Sequence, residues 1–246
     1  MLITPYDLLV PTGEAVTLEV ELERRLFTFI DPAIADREVE VEGHGRARSG
    51  ANGIASIELG KLPPGSHKLI VRAGSKKMDA LVRVIEADTP IIVVDIDQTI
   101  ADVTPQGFIL KKVQDVSAMP GAPEALTELS KSMQILYLTA RDHIFTRKTK
   151  LWLRVARFPD APVYLRKGTR FWSASPREHK IGRLGELRAK FPNLRWGIGD
   201  KPGDAAAYAA HSIRPILLAK SRPPEVPTDV PCLPDWKTIA ERVKRG

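Results

Sequence analysis

Ile91-Ile92-Val93-Val94-Asp95-Ile96-Asp97-Gln98-Thr99 runs from four β-branched residues straight into two acids. Four consecutive apolar residues of this kind read as a strand buried on both faces, which is the usual state of a parallel strand inside an α/β sheet. Side chains alternate along an extended chain, so Asp95 and Asp97 face the same way. Two like charges at that spacing repel, and the common remedies are a divalent cation, a shared proton, or both. Burial of such a pair for stability alone would be a poor solution.

Outward from this stretch the chain divides near Asp88-Thr89-Pro90. Residues 89–246 alternate strand and helix. The expected strands are 91–95, 134–138, 162–165, 195–198 and 213–218. The expected helices are 122–132, 144–156, 176–190, 203–210 and 235–244. This pattern predicts an α/β domain of three layers, with a mainly parallel sheet between helices. Its chemistry belongs at the carboxyl ends of the strands. Residues 1–88 have a different grammar. Ala15-Val16-Thr17-Leu18-Glu19-Val20-Glu21-Leu22 alternates apolar and polar, as does Val39-Glu40-Val41-Glu42. Asn52-Gly53 and Pro63-Pro64-Gly65 mark turns, before further strands at 54–59, 68–72 and 80–85. Short strands at close spacing predict a small all-β sandwich, similar to immunoglobulin-like or transthyretin-like modules.

The composition, 43% hydrophobic and 27% charged over 246 residues, is that of a globular protein. One cysteine, Cys232, excludes an intramolecular disulfide and a cysteine metal cage. The start lacks the layout of a signal peptide and no stretch has the length and apolarity of a membrane span, so the expected location is cytoplasmic, with peripheral membrane contact left open. The net charge of +7 is uneven: residues 141–190 hold 14 Lys+Arg against 4 Asp+Glu. That excess fits an anionic partner, whether phosphate ester, lipid or nucleic acid, or else a solvated helix face.

The sequence meets the expectation that chemistry follows the strands. After the first come Asp95, Asp97 and Thr99, and after the second come Thr139 and Arg141. After the fourth come Gly199, Asp200 and Asp204, and Lys180 opens the helix that leads there. Lys148 and Lys167 rival Lys180. Asp204 is either a site residue or the acid that starts a helix. Arg141 is either a phosphate contact or a surface ion pair. The five histidines show no metal-binding spacing and read as structural or exposed.

These residues, in this order, resemble the four motifs of the haloacid dehalogenase superfamily of phosphotransferases: Asp95-x-Asp97-x-Thr99, then Thr139, then Lys180, then Gly199-Asp200-x-x-x-Asp204. The resemblance spans about 90–245. It implies that Asp95 is the nucleophile and Asp97 the general acid/base. It implies Mg2+ held by Asp95, Asp200 and the backbone carbonyl of Asp97, with Asp204 as ligand or support. It gives the phosphoryl oxygens to Thr139 and Lys180, with Arg141 as a further phosphate contact, and gives Thr99 the orientation of the Asp97 loop.

The spacing of the motifs implies no cap domain: the interval from Thr99 to Thr139 is read as a hairpin flap at Phe108-Ile109-Leu110 plus one helix. An open site suits a large substrate. Tyr137-Leu138-Thr139-Ala140-Arg141 and Thr146-Arg147-Lys148-Thr149-Lys150-Leu151-Trp152-Leu153 resemble lipin-type phosphatidate phosphatases, and His179-Lys180, Phe191-Pro192 and 199–208 resemble the actin-patch type. The implied substrate is a lipid phosphate such as phosphatidate. Gln98 departs from both groups, which have Gly or Asp there. Two other functions stay open. One is a polynucleotide end phosphatase, for which Trp152, Phe158, Phe171 and Trp172 either stack on bases or, the favoured reading, pack in the core. The other is a non-catalytic adaptor working through the sandwich.

Overall fold

The computed structural model describes residues 1–24, 32–167 and 176–246. The chain forms two units. One comprises Met1–Ala87 with Asp142–Arg147 and a segment beginning at Lys167; the other comprises Asp88–Arg141, Lys148–Arg166 and the remainder of the chain.

Among the described residues of the first unit, eight strands make two sheets. They are β1 (Leu2–Pro5), β2 (Leu8–Pro11), β3 (Ala15–Glu23), β4 (Glu38–Val41), β5 (Gly45–Arg48), β6 (Ile54–Lys61), β7 (Gly65–Ala73) and β8 (Lys76–Ile85). One sheet has the order β1-β3-β6 and the other β2-β8-β7-β4-β5. All pairings are antiparallel except β2 with β8, which is parallel. The alternation in β3 puts Val16, Leu18, Val20 and Leu22 into a core shared with Val39, Val41, Leu69, Val71 and Val82 of the other sheet. Asn52-Gly53 does form a turn, but it leads from one sheet to the other, because β5 pairs with β4 and β6 with β3. Gly53 has φ +77°, and a Cβ there would lie 2.6 Å from the Leu22 carbonyl oxygen, so the turn needs glycine on both counts.

The second unit holds β9 (Ile91–Val94), α1 (Pro105–Leu110), α2 (Ala122–Leu129), β10 (Gln134–Asp142), α3 (Thr146–Val155), β11 (Val163–Arg166), α4 (Pro176–Lys190), β12 (Leu194–Gly199), α5 (Pro202–Ala209), β13 (Arg214–Leu218), β14 (Cys232–Leu233) and α6 (Trp236–Lys244), with the last residue of β10 and the first two of α3 grouped with the first unit. The sheet order is β11-β10-β9-β12-β13-β14. β9 pairs in parallel with β10 and β12, and β12 with β13, and β13 with β14. The fully apolar run of β9 is thus explained: it is a central strand, and all four of its residues are buried. The chain builds the sheet outward from β9 on one side, then returns to build the other side. The crevice where such a sheet changes direction is the natural ligand position.

The interval from residue 100 to 133 is filled by α1, a short 3-10 turn at Val113–Asp115, and α2. Phe108-Ile109-Leu110, read from the sequence as a hairpin flap, is instead the body of α1. Its true signal stands just before it: the Thr104 side chain accepts a hydrogen bond from the Gly107 N–H, and Pro105 opens the first turn.

Candidate active site

Register alone gathers the acids. Val94 lies opposite Tyr137 on one side and Ile198 on the other. Thr139 and Asp200 stand two residues further along those neighbours, at the end of the sheet where Asp95 and Asp97 leave β9. The Asp95 N–H donates to the Ile198 carbonyl at 2.9 Å, so Asp95 is still held by the sheet. The chain then turns tightly, with the N–H groups of Thr99, Ile100 and Ala101 all directed at the Ile96 carbonyl. Gln98 takes φ +58° in this turn, a left-handed conformation that glycine adopts at lower cost.

Lys180 joins the first and fourth motifs. Its Nζ lies 2.7 Å from Asp95 Oδ1 and 2.5 Å from Asp204 Oδ1, and all three residues are buried. The rivals are elsewhere: Lys148 donates to carbonyls of Phe108, Ile109 and Lys111, and Lys167 pairs with Glu19 in the first unit. Asp204 both pairs with Lys180 and starts a helix. Oδ1 receives Lys180, and Oδ2 accepts the N–H groups of Asp200 and Lys201 at 3.3 and 3.2 Å, which fixes the loop entering α5. Gly199 makes room for this, since a Cβ there would lie 2.6 Å from Asp204 Oδ2.

Ligand oxygens of Asp95, Asp200 and Asp204 all lie within 4.8 Å of one another. Asp200 Oδ1 is buried and accepts no hydrogen bond, an unusual state for a carboxylate oxygen. The set offers oxygen donors only, which suits a hard divalent cation. The electrostatics point the same way. Burial pushes the Asp95 carboxyl well above the usual carboxylate range; Lys180 pulls it back, while Asp204 and Asp200 add to the rise. Burial lifts Asp200 to about 6, opposed by Lys201 and reinforced by Asp204. Burial also works against the Lys180 charge, but Asp95 and Asp204 outweigh it and hold Lys180 above the ordinary lysine value.

Asp97 faces the other side of the crevice. Arg141 grips it with a fork, Nε to Oδ2 at 2.9 Å and Nη2 to Oδ1 at 2.8 Å. The third guanidinium nitrogen, Nη1, donates to Thr149 Oγ1 at 3.1 Å, and the Phe108 ring lies 3.4 Å from the guanidinium carbon. Arg141 is therefore part of a buried ion pair, not the surface pair that was one reading of the sequence. Thr139 Oγ1 donates to Asp97 Oδ2 at 3.4 Å and accepts the Arg141 N–H. Thr99 is fully buried; its carbonyl accepts from Trp236 Nε1 at 2.8 Å, and its hydroxyl makes no hydrogen bond. Thr149 and Phe108, the partners of Arg141, carry no signal in the sequence that ties them to it. The pairing of Trp152 and Phe158 in the core removes both from any role in stacking on bases. Phe171 and Trp172 lie outside the described residues.

Compared with known families, residues 92–216 match the PITM 1-3, LNS2 domain family. The chain belongs to the LNS2 domain family. The matched span is about half of the chain and holds every residue of the site, from Asp95 to Asp204. An LNS2 domain is a lipin-like phosphatase domain, in keeping with the motif order. Among solved structures, a haloacid dehalogenase-like hydrolase from Streptococcus pneumoniae superposes on this LNS2 protein with a TM-score of 0.46 at 14% identity, over 64% of this chain and 99% of its own. A chain of the Pnkp1/Rnl/Hen1 RNA repair complex gives 0.44 at 13%, over 52% and 42%. No curated protein matches the chain.

A second polar cluster lies in the first unit. His143 Nε2 is 2.8 Å from Glu23 Oε2 and 3.6 Å from Glu21 Oε2, and its Nδ1 is 3.0 Å from Asp142 Oδ1. Tyr6 donates its hydroxyl to Glu21. Burial disfavours the imidazolium, but the hydrogen bonds to Asp142 and Glu23 and the nearby Glu21 charge outweigh it and raise the pKa to about 10. Both ring nitrogens face carboxylates, so the imidazolium offsets part of the negative charge of Glu21, Glu23 and Asp142.

Proposed function

We propose that this LNS2 domain is a Mg2+-dependent phosphatase that cleaves a phosphate monoester through an aspartyl phosphate, acting on a lipid phosphate such as phosphatidate. The observation that carries the reading is the placement of Asp95: a buried carboxylate at a strand end, ion-paired to Lys180, beside an Asp200 oxygen with no partner. Asp95, Asp200 and the Asp97 backbone carbonyl would hold the cation, with Asp204 bracing the loop. Mg2+ there would offset the repulsion between an anionic nucleophile and an anionic ester.

The protein's own groups then divide the work. An Asp95 oxygen forms a bond to phosphorus as the bond to the leaving oxygen breaks, and Asp97, which takes up a proton and gives up one Arg141 contact to act as an acid, passes that proton to the leaving oxygen. Asp97 next takes a proton from water as the water oxygen bonds to phosphorus, which releases Asp95 and inorganic phosphate. Thr139 and Lys180 neutralise and orient the phosphoryl oxygens through both steps. Arg141 holds Asp97 in position.

We infer also that the first unit is immunoglobulin-like. The reading is supported by its opening segment, which lies antiparallel in one sheet as β1 and parallel to the final strand of the other as β2. The test of the function is turnover of an aryl phosphate with and without Mg2+, beside Asp95→Asn, followed by a panel of phosphatidate, 5′-phosphorylated oligonucleotide and sugar phosphate. Mg2+-dependent activity lost in Asp95→Asn and highest on phosphatidate supports the reading. Preference for the oligonucleotide transfers it to nucleic acid ends, and no activity at all favours the adaptor.

A further inference from the structure

Among the described residues, four large hydrophobic side chains are prominently exposed: Ile109 (50%), Leu110 (85%), Leu151 (43%) and Val155 (55%). All four lie on two elements, α1 and α3. These elements are joined. Lys148 Nζ donates to carbonyls at the end of α1, and the Phe108 ring meets Trp152 of α3 edge-on at 6.4 Å. Leu151 and Val155 are one turn apart, so they share one face of α3.

The charge beside them is mostly positive, with exposed Asp102, Asp115 and Asp160 just outside the two basic spans. Lys111, Lys112, Arg154 and Arg157 are exposed, and no Asp or Glu occurs in 103–114 or 143–159. Exposed aliphatics gathered on neighbouring elements mark an interaction surface. Aliphatics on spans whose charged residues are lysine and arginine fit the boundary of an anionic bilayer. There the apolar tips enter the acyl region and the cations meet the head groups.

We infer that the outer face of α1 and α3, centred on Ile109, Leu110, Leu151 and Val155, docks on an anionic lipid bilayer. The surface deepens the proposed function and takes its meaning from it. α1 presents Ile109 and Leu110 outward and sets Phe108 against the Arg141 guanidinium that holds Asp97. A bilayer under α1 is therefore met by the same short helix that borders the acid pair.

The test is co-sedimentation of the full chain with vesicles of phosphatidylcholine alone, or of phosphatidylcholine with phosphatidylserine. Neither contains a phosphate monoester, so the result does not depend on catalysis. The expected outcome is binding to the phosphatidylserine vesicles that weakens with salt, with little binding to phosphatidylcholine. The double variant Leu110→Gln/Leu151→Gln changes only exposed residues, and its unchanged melting temperature checks the fold. It should bind about tenfold more weakly for each leucine withdrawn, while cleaving a short-chain soluble phosphatidate at the wild-type rate. A wild type that stays in solution, a double variant that binds like wild type, or equal binding to phosphatidylcholine overturns the docking surface. A wild type that binds vesicles but leaves soluble phosphatidate intact overturns the proposed substrate and leaves the docking surface standing.

Discussion

Arg141 and Asp97 form a buried two-pronged ion pair, with the guanidinium also bonded to Thr149 and covered by Phe108. Both Asp97 oxygens are held by nitrogens in one plane, a geometry that lysine cannot copy. Removing one partner of such a pair leaves a buried charge uncompensated. Arg141→Ala should cost about 3–5 kcal/mol of stability, measured by urea denaturation. The double variant Asp97→Asn/Arg141→Met should lose less than the two single changes added together, because it removes both charges. Arg141→Lys keeps the charge without the fork, so it should lower kcat by at least about tenfold with little change in KM. A change confined to KM would place Arg141 on the substrate instead.

The cation site makes a separate prediction. A ligand bound only by the folded protein stabilises it by mass action, about 2.7 kcal/mol at one hundred times its dissociation constant. Mg2+ should therefore raise the melting temperature of the wild type, and Asp200→Asn should remove most of that rise. Asp200 is the residue to change because its Oδ1 has no other partner.

Two glycines of β12 are set by what they face. A Cβ on Gly197 would lie 2.2 Å from the Tyr208 ring, and one on Gly199 would collide with the Asp204 carboxylate. Gly197→Ala should destabilise the second unit by about 3 kcal/mol through overpacking, seen as a lower urea midpoint. Gly199→Ala should displace Asp204 and with it Lys180, so its loss of turnover should exceed that of Gly197→Ala under conditions where both remain folded.

The His143 cluster gives the first unit a dependence on pH. The folded pKa of about 10 lies above the ordinary histidine value near 6.5. A raised folded pKa contributes stability that is fully present below about pH 6.5 and lost as pH rises through about 10. Glu21, raised mainly by burial, and Asp142 and Glu23 are the acids that face it. Tyr6 is pushed above the ordinary phenol range by burial and by Glu21, so it stays protonated across this window. The stability lost in His143→Asn should be large at pH 6 and shrink toward pH 10; an equal loss at all pH values would contradict the imidazolium.

The parts of this molecule legible in its sequence are those fixed by local pattern and motif order. The apolar run before Asp95 announces a central strand, and the glycine and acid spacing after Ile198 announces the loop that Asp204 closes. What lay hidden depends on contacts between distant residues. Nothing local ties Arg141 to Asp97, 44 positions away, or His143 to Glu23, 120 away. β5 has little signal in the sequence, because Gly45-Arg46-Ala47-Arg48 has no buried residue and its backbone is ordered by pairing with β4. The start signal of α1 at Thr104-Pro105 is masked in the sequence by the aromatic and β-branched residues at 108–109, which favour a strand.

The central claim is that Asp95 carries the phosphoryl group. Its most direct test is rapid acid quenching of the protein during turnover of a phosphate monoester, followed by peptide mass spectrometry. The account predicts a phosphoryl adduct on the peptide bearing Asp95, absent in Asp95→Asn and accumulating when Asp97→Asn slows its hydrolysis. Steady turnover with no adduct at Asp95, or an adduct that persists in Asp95→Asn, would contradict it.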